Sequence, residues 1–359
     1  MRRPRLTPAI ADTRRAVREA LDGLPDGALA LVALSGGPDS LALAAALAAE
    51  APQAGMRGGA IIVDHGLQPG SAAVAAAAAA TARGLGLDPV EVREVEVRDT
   101  GDGPEAAARA ARHAALAAAA AAHGAATVLL GHTLDDQAET VLLGLARGSG
   151  AMSLAGMAPV TASPVRGDGH PPHAAHAGRA ADWRRPFLAL RRATTLAACA
   201  DQGLTPWADP QNEDRAFLRV RVRHDVLPAL EAALGPGVAE ALARTAEQLR
   251  EDAAALDAMA GEVVEDLVVA GADPVTEEPY PGGGISLPVA ALAANPPALR
   301  HRLIRLVVAA EFGRSLSRRH TLEAARLVTD WHGQGPIDLP GVTASRQGGR
   351  LVFTARQGE

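Results

Sequence analysis

Short apolar runs alternate with longer helical stretches from residue 29 to residue 146. Leu29–Leu34, Ala60–Val63, Val90–Val97 and Thr127–Leu130 read as strands. The stretches that follow them, Ser40–Glu50, Ser71–Leu85, Pro104–His123 and Leu134–Ala146, have helical length. Pro104 suits a first helical turn, where a missing N–H leaves no bond unmade. Strands of roughly four to eight residues alternating with helices predict βαβ units and a parallel sheet. Right-handed crossovers then bring the loops after each strand to one edge of that sheet, where ligands bind. The expected fold is α/β and Rossmann-like: a parallel sheet of five strands or a similar number, with helices on both faces.

Beyond about Asp214 helices dominate. Val238–Val269 is the longest, and Leu299–Glu311 and Thr321–Trp331 follow a Pro/Gly-rich break at Asp273–Gly284. The end of the chain, PIDLPGVTASRQGGRLVFTAR, alternates like short strands joined by Gly turns. We expect a catalytic domain over 1–213 and a smaller, mainly helical substrate domain over 214–359. Residues 161–182 lack periodicity and read as a mobile loop. Its His170, His173 and His176 read as scattered polar residues of an insertion rather than as metal ligands.

Composition narrows the setting. With 359 residues, 48% hydrophobic and 21% charged, the chain has the make-up of a globular protein with room for two cores. The charged N-terminus is followed by no apolar stretch of the kind a secretory signal needs, and the apolar runs are too short or too broken for a membrane span. Cys199 is the single cysteine, so no internal disulfide is expected. A cytoplasmic protein fits these features, and they leave a homodimer open. A net charge of −6 does not advertise a nucleic-acid partner, but all 35 basic residues are arginine and they cluster. Arg184, Arg185, Arg191 and Arg192 form one group, Arg215, Arg219, Arg221 and Arg223 a second, and Arg300–Arg319 contains a third. Each group is open to two readings: codon usage on solvated faces, or a local basic surface acting independently of others more than about 8 Å away.

Candidate chemistry sits at two strand-to-helix junctions. The first is Ser35-Gly36-Gly37-Pro38-Asp39-Ser40. Adjacent glycines let backbone N–H groups approach an anion, and the following helix start adds oriented donors and partial positive charge. Ser35 and Ser40 add hydroxyls, and Asp39 can hold Mg²⁺ against phosphate. The spacing is neither a Walker A loop nor GxGxxG. It resembles the PP-loop of the N-type ATP pyrophosphatases, which cleave ATP between its α and β phosphates. The second junction is Gly131-His132-Thr133-Leu134-Asp135-Asp136-Gln137-Ala138-Glu139-Thr140, whose acids favour a helix start while His132 projects over the sheet edge.

With these two runs together, the sequence resembles the tRNA(Ile)-lysidine synthetases of the PP-loop superfamily. The resemblance continues through Val63-Asp64-His65-Gly66-Leu67, the paired Arg109 and Arg112, Arg147-Gly148-Ser149-Gly150, and Arg185-Pro186-Phe187-Leu188 with Arg191. Trp207-Ala208-Asp209-Pro210 follows with Asn212 and Asp214, then Arg219, Arg221 and Arg223 before Leu227-Pro228. The match is dense over about 25–230. Gln68, His113 and Val220 depart from the family's usual Arg, Tyr and Asn, and Gln68 puts in doubt any ribose or phosphate contact at its position.

The resemblance implies ATP and Mg²⁺, free lysine, and an isoleucine tRNA with a CAU anticodon. The C2 oxygen of the wobble cytidine attacks the α-phosphate and pyrophosphate leaves. The lysine ε-amine then attacks C2 and AMP leaves. Ser35, Gly36, Gly37, Pro38, Asp39, Ser40, Asp64 and His65 are the expected ATP contacts, with Asp39 on the metal. Arg109 and Arg112 are expected at the α-phosphate or on the tRNA. Asp39, His132 and Asp136 complete the catalytic group, with Asp135 and Asp136 as lysine anchors. Arg191, Arg219, Arg221 and Arg223 are the expected tRNA contacts. A tRNA cytidine 2-thiolase, disfavoured by the single cysteine, and a non-catalytic nucleotide-binding module are the alternatives.

Overall fold

Parallel pairing gathers the apolar runs into one sheet. The computed structural model describes residues 6–66, 68, 70–96, 104–148, 151–163, 181–270 and 284–356, without the side chains of Pro104 and Glu105. His170, His173 and His176, most of the expected mobile loop, and Ser149-Gly150 lie outside the described residues. The six strands are β1 (Leu29–Ala33), β2 (Arg57–Asp64), β3 (Val90–Glu94), β4 (Thr127–Leu129), β5 (Val160–Thr161) and β6 (Asp182–Arg184), in the order β3-β2-β1-β4-β6-β5. Five run parallel, and β5 adds a two-residue antiparallel edge on β6. The strand expected over Val90–Val97 ends at Glu94, because its one ladder partner, β2, ends opposite it at Asp64.

Strand β1 shows why an uninterrupted apolar run is needed at the centre. Its side chains alternate between two cores: Ala30 and Val32 face one, Leu29 and Leu31 the other. The first core is shared by α1 (Pro8–Leu21), α2 (Pro38–Glu50), α3 (Ser71–Gly84) and α7 (Arg192–Asp201), through Val17, Leu43, Leu47, Ala78 and Ala198. The second is closed by α4 (Pro104–Ala122), whose Leu116, Ala119 and Ala120 meet Ile61 and the fully buried Trp183 of β6. Each buried Leu contributes on the order of 2 kcal/mol.

From β1 the chain adds β2 and β3 on one side, then crosses to add β4 on the other. That reversal opens a crevice at the C-terminal ends of β1 and β4, the place where open α/β sheets bind ligands. The helix after β4, α5 (Leu134–Ala146), is followed by the short α6 (Ala151–Leu154). Later come α8 (Leu218–Arg221), α9 (Leu227–Leu234) and α10 (Val238–Leu267). Leu134 and Ala138 of α5 pack on Val222, Leu227 and Ala239.

By contact the described residues divide between residues 247 and 248, inside α10. Residue 213 closes a 3-10 turn, Pro210–Glu213, within the first unit. The second unit holds α11 (Val289–Ala294), α12 (Pro297–Phe312) and α13 (Arg318–Thr329). They pack on an antiparallel sheet of β7 (Val269–Ala270), β8 (Ile285–Pro288), β9 (Ile337–Leu339), β10 (Val342–Gln347) and β11 (Arg350–Ala355), in the order β7-β8-β11-β10-β9. Its arginines differ in situation. Arg300 is buried and donates to the carbonyls of Leu292 and Asn295, closing the end of α11, whereas Arg302 pairs with Asp257 and Arg319 with Glu323. Among the described residues, no single helix is long and apolar enough to cross a membrane.

Candidate active site

The turn leaving β1 is built by the two serines and the glycines between them. Gly36 has φ +85, a conformation that disfavours any side chain, and its carbonyl accepts the Trp207 N–H at 2.9 Å. The Ser40 hydroxyl accepts from the Ser35 N–H at 3.1 Å and donates to the Gly37 carbonyl at 3.0 Å. Ser35 Oγ lies 3.1 Å from Ser40 Oγ. Gly37 is the N-cap of α2 and supplies no side-chain cap, so the first N–H groups of α2 remain available to an anion. Pro38 fills the first helical position.

Asp39 does not point freely into the crevice. Its Oδ1 accepts the Thr195 hydroxyl, and its Oδ2 lies 3.4 Å from Arg192 Nε, both from α7. Burial pushes its carboxyl above the ordinary range, against the opposing pull of Thr195 and Arg192. Cys199, one turn further along α7, donates to the Pro38 carbonyl at 3.3 Å, and burial pushes its thiol up to about 11. The whole back of the loop therefore rests on α7.

The junction after β4 meets this loop closely. A Cβ on Gly131 would fall 3.1 Å from Asp39 C and from Ser40 N, so only glycine lets the two backbones approach. Thr133 and Asp136 then start α5 with a reciprocal cap: the Thr133 N–H donates to Asp136 Oδ2 at 2.8 Å, and the Asp136 N–H donates to Thr133 Oγ1 at 3.4 Å. The other Asp136 oxygen accepts Arg192 Nη2 at 2.7 Å and lies 3.5 Å from Arg223 Nη2. Burial raises the Asp136 carboxyl, but Arg192, the Thr133 bonds and His132 outweigh it and hold the group below the usual range. Asp135 accepts the Arg192 backbone N–H at 2.7 Å and pairs with Arg191 at 3.0 Å; Arg191 also reaches Glu240 at 2.6 Å.

Glu139 is the centre of the acid cluster. It is 0% exposed and faces three guanidinium groups: Arg223 Nε at 2.7 Å, Arg219 Nε at 3.2 Å and Arg192 Nη1 at 3.5 Å. The three guanidinium groups balance the charge of this enclosed carboxylate. A cavity of about 150 Å³ opens beside this network, with Asp135, Glu139, Arg191, Arg192, Arg223 and Leu227 among its lining residues.

Across the crevice positive charge is in excess. His132 has an enclosed Nδ1 without a partner, and burial, Arg185, Arg112 and Arg219 outweigh the Asp136 carboxylate to push the ring down to about 3. His65 is lowered by burial and by Arg112, and its Nδ1 is also enclosed without a partner. Arg112 and Arg185 are lowered by burial and by Arg109. His113 stands edge-on to Trp183 with ring centres 4.8 Å apart, and burial takes it down to about 4. Asp64 at the end of β2 accepts the Gly66 N–H at 2.9 Å and shapes the turn that presents His65. Gln68 donates to Asp209 at 3.1 Å, tying that turn to the Trp207-Ala208-Asp209-Pro210 run. A cluster of cations beside a helix start that no side chain caps is suited to polyphosphate.

The sequence-derived residues thus converge in part. Ser35–Ser40, His132 and Asp136 meet at the crevice, with Asp64 and His65 at the neighbouring strand end. Three of the four expected tRNA contacts are turned onto carboxylates: Arg191 onto Asp135 and Glu240, Arg219 and Arg223 onto Glu139. The fourth, Arg221, is exposed and donates to the carbonyls of Arg215 and Ala216, each at 2.8 Å. Sequence reasoning gives no site role to Arg192, Thr195, Arg185 or Glu139, although Arg185 and Glu139 stand inside the quoted motifs and Arg192 stands next to Arg191.

A phosphate-type loop at a strand-order reversal, backed by acids and arginines, defines a nucleotide-handling α/β enzyme of the PP-loop class. Residues 12–230 match the PP-loop domain family, and residues 287–352 match the TilS substrate binding domain. The chain is 62% identical to the tRNA(Ile)-lysidine synthase of Leifsonia xyli subsp. xyli over 92% of its length and 91% of the relative's. For the enzymes named tRNA(Ile)-lysidine synthase in Streptomyces coelicolor and Thermobifida fusca, identity is 52% and 49%, covering 95% and 97% of this chain and 88% and 98% of theirs. The chain belongs to the tRNA(Ile)-lysidine synthase family. Among solved structures, the U34-tRNA thiolase NcsA from Methanococcus maripaludis with its [4Fe-4S] cluster shares the fold, with TM-score 0.54 and 21% identity over 68% of this chain and 80% of that one.

Proposed function

We propose that this chain ligates free lysine to C2 of the wobble cytidine of the CAU-anticodon isoleucine tRNA, with ATP converted to AMP and pyrophosphate. The observation that carries this reading is the juxtaposition of two unlike sites. An anion-binding loop and a small acid-and-arginine cavity meet at Gly131 and share Arg192. Lysine is zwitterionic, so a cavity lined by both signs of charge matches it. Asp135 and Glu139 face the ammonium groups, Arg191 and Arg223 the carboxylate, and Asp136 acts from behind through Arg192.

Ser35–Ser40 and the first N–H groups of α2 hold the phosphates. Asp64 and His65 border the nucleoside end. Asp39 and the serine hydroxyls are oxygen donors of the kind Mg²⁺ prefers, and the ion when bound would neutralise phosphate charge. Arg109 and Arg112, with Arg185, hold the α-phosphate as charge builds on it. The cytidine C2 oxygen forms the new P–O bond and pyrophosphate carries away the broken one. The lysine ε-amine then bonds to C2, AMP leaves with the electron pair of the C2–O bond, and the amine loses a proton. His132, kept neutral by burial and the neighbouring arginines, borders this step and adds no positive charge against the incoming amine.

Arg191, Arg219 and Arg223 act inside the site, so the catalytic part extends past the expected boundary at 213, and Arg221 is the phosphate contact among the four arginines. Action on tRNA supports a cytoplasmic setting. The thiolase reading is not favoured: Cys199, the single cysteine, is 1% exposed and tied to the loop. The test is incorporation of labelled lysine into the isoleucine tRNA transcript, with one pyrophosphate released per lysine joined. Pyrophosphate release with no lysine transfer at saturating lysine would overturn the reading.

A further inference from the structure

Arg192 touches both halves of the site at once. Its Nε lies 3.4 Å from Asp39 in the phosphate loop, its Nη2 2.7 Å from Asp136 and its Nη1 3.5 Å from Glu139. All three nitrogens of one guanidinium therefore serve three different carboxylates. Its backbone N–H holds a fourth acid, Asp135, at 2.7 Å. The backbone anchor and the start of α7 fix where the side chain begins. Asp39 also accepts the Thr195 hydroxyl, which lies 2.8 Å from the Arg192 carbonyl as well.

We propose that Arg192 is a positioning residue that couples the two substrates, so that nucleotide in the Ser35–Ser40 loop raises the affinity of the acid cavity for lysine. Polyphosphate brings several negative charges to the Asp39 side of the guanidinium. Arg192 is drawn toward them, and its hold on Asp136 and Glu139 slackens. Glu139, which lines the cavity, is then left with more uncompensated charge, which favours a bound ammonium group. Reciprocity requires lysine to raise nucleotide affinity by the same factor. The device lets lysine bind well only when the activating nucleotide is already in place. This inference rests on the assignment of lysine to the cavity beside Glu139.

The experiment is a calorimetric binding cycle on the full chain, using lysine and the α,β-methylene analogue of ATP with magnesium. Each ligand is titrated alone and in the presence of the other. In the unaltered protein the analogue should tighten lysine binding about five-fold or more, and lysine should tighten the analogue equally. In Arg192→Gln both ligands should still bind, with the factor reduced to near one. Thr195→Val, which removes the hydroxyl bonds to Asp39 and to the Arg192 carbonyl but leaves the Arg192 guanidinium and its three carboxylates, should keep the factor. Failure of lysine to bind at all with the analogue present would overturn the assignment of the cavity itself. Binding of both ligands with a factor near one in the unaltered protein, or an unchanged factor in Arg192→Gln, would overturn the coupling alone. If Arg192→Gln does not fold, Arg192→Lys, which keeps the charge but cannot span three acids, should give the reduced factor, and full coupling in it would overturn the proposal.

Discussion

At the residue scale, the site's chemistry depends on which groups are ionised. The His132 ring is held down to about 3 by burial and nearby arginines, well under its ordinary value of 6.5. Between those values the unfolded chain takes up a proton that the native ring refuses, so native stability falls as pH drops below 6.5 and gains nothing from this ring above it. Urea midpoints measured at pH 7.5 and pH 5 should therefore drop more for the unaltered protein than for His132→Asn. Parallel drops would mean the ring is not held neutral. The same neutrality predicts a lysine-transfer rate without an inflection near pH 6.5 that His132→Asn removes. Glu139→Gln has a different signature. It takes away the charge that balances Arg192, Arg219 and Arg223, and loss of one partner of a buried ion network costs on the order of 3 kcal/mol. A denaturation midpoint close to that of the unaltered protein would show that those cations find other partners.

At the scale of elements, the close approach of two junctions is the vulnerable feature. Gly131→Ala would press a methyl group onto the backbone of Asp39 and Ser40, where no flexible side chain can yield. Overpacking of this kind costs about 1–3 kcal/mol, and here the easiest relief is to displace the phosphate loop. The KM for ATP should rise at least about ten-fold while the lysine KM changes less; an equal rise in both would place the damage in the general fold. The first four strands and the helices after them were legible in the sequence because strand and helix periods are local; β5 and β6, two and three residues long at the ends of the expected loop, are too short to show a period. The phosphate loop was legible for the same reason, since Ser35–Ser40 carries its glycines, helix start and hydroxyls within six consecutive residues. The partners of the acids were not. Arg192 meets Asp136 across 56 positions of sequence and Asp39 across 153, and Arg223 meets Glu139 across 84. Residues 219 and 223 do share a helix face, as their spacing implies, but nothing local tells whether that face meets solvent or a buried carboxylate.

At the scale of the whole molecule, an acidic chain must hold a polyanion. The arginines that count for this are those left facing water, not those spent on internal acids. Replacing Arg219 and Arg223 together by Ala should lower Tm and leave the salt dependence of tRNA binding where it was, because both face Glu139. Replacing the exposed Arg318, at the start of α13, should leave Tm nearly unchanged and shallow that dependence by about one unit of slope. The opposite assignment of the two effects would return Arg219 and Arg223 to the tRNA surface.

The contact between Cys199 and Pro38 turns the phosphate loop into something that can be timed. The thiol is the only one in the chain, is 1% exposed, and donates to the loop backbone itself. A colour-producing disulfide reagent can reach it only while α7 and the loop have parted, so the rate of reagent consumption counts those partings directly. Nucleotide that binds the closed loop should slow the count in proportion to its occupancy, and the slowing would report affinity in a protein in which no catalytic step has occurred.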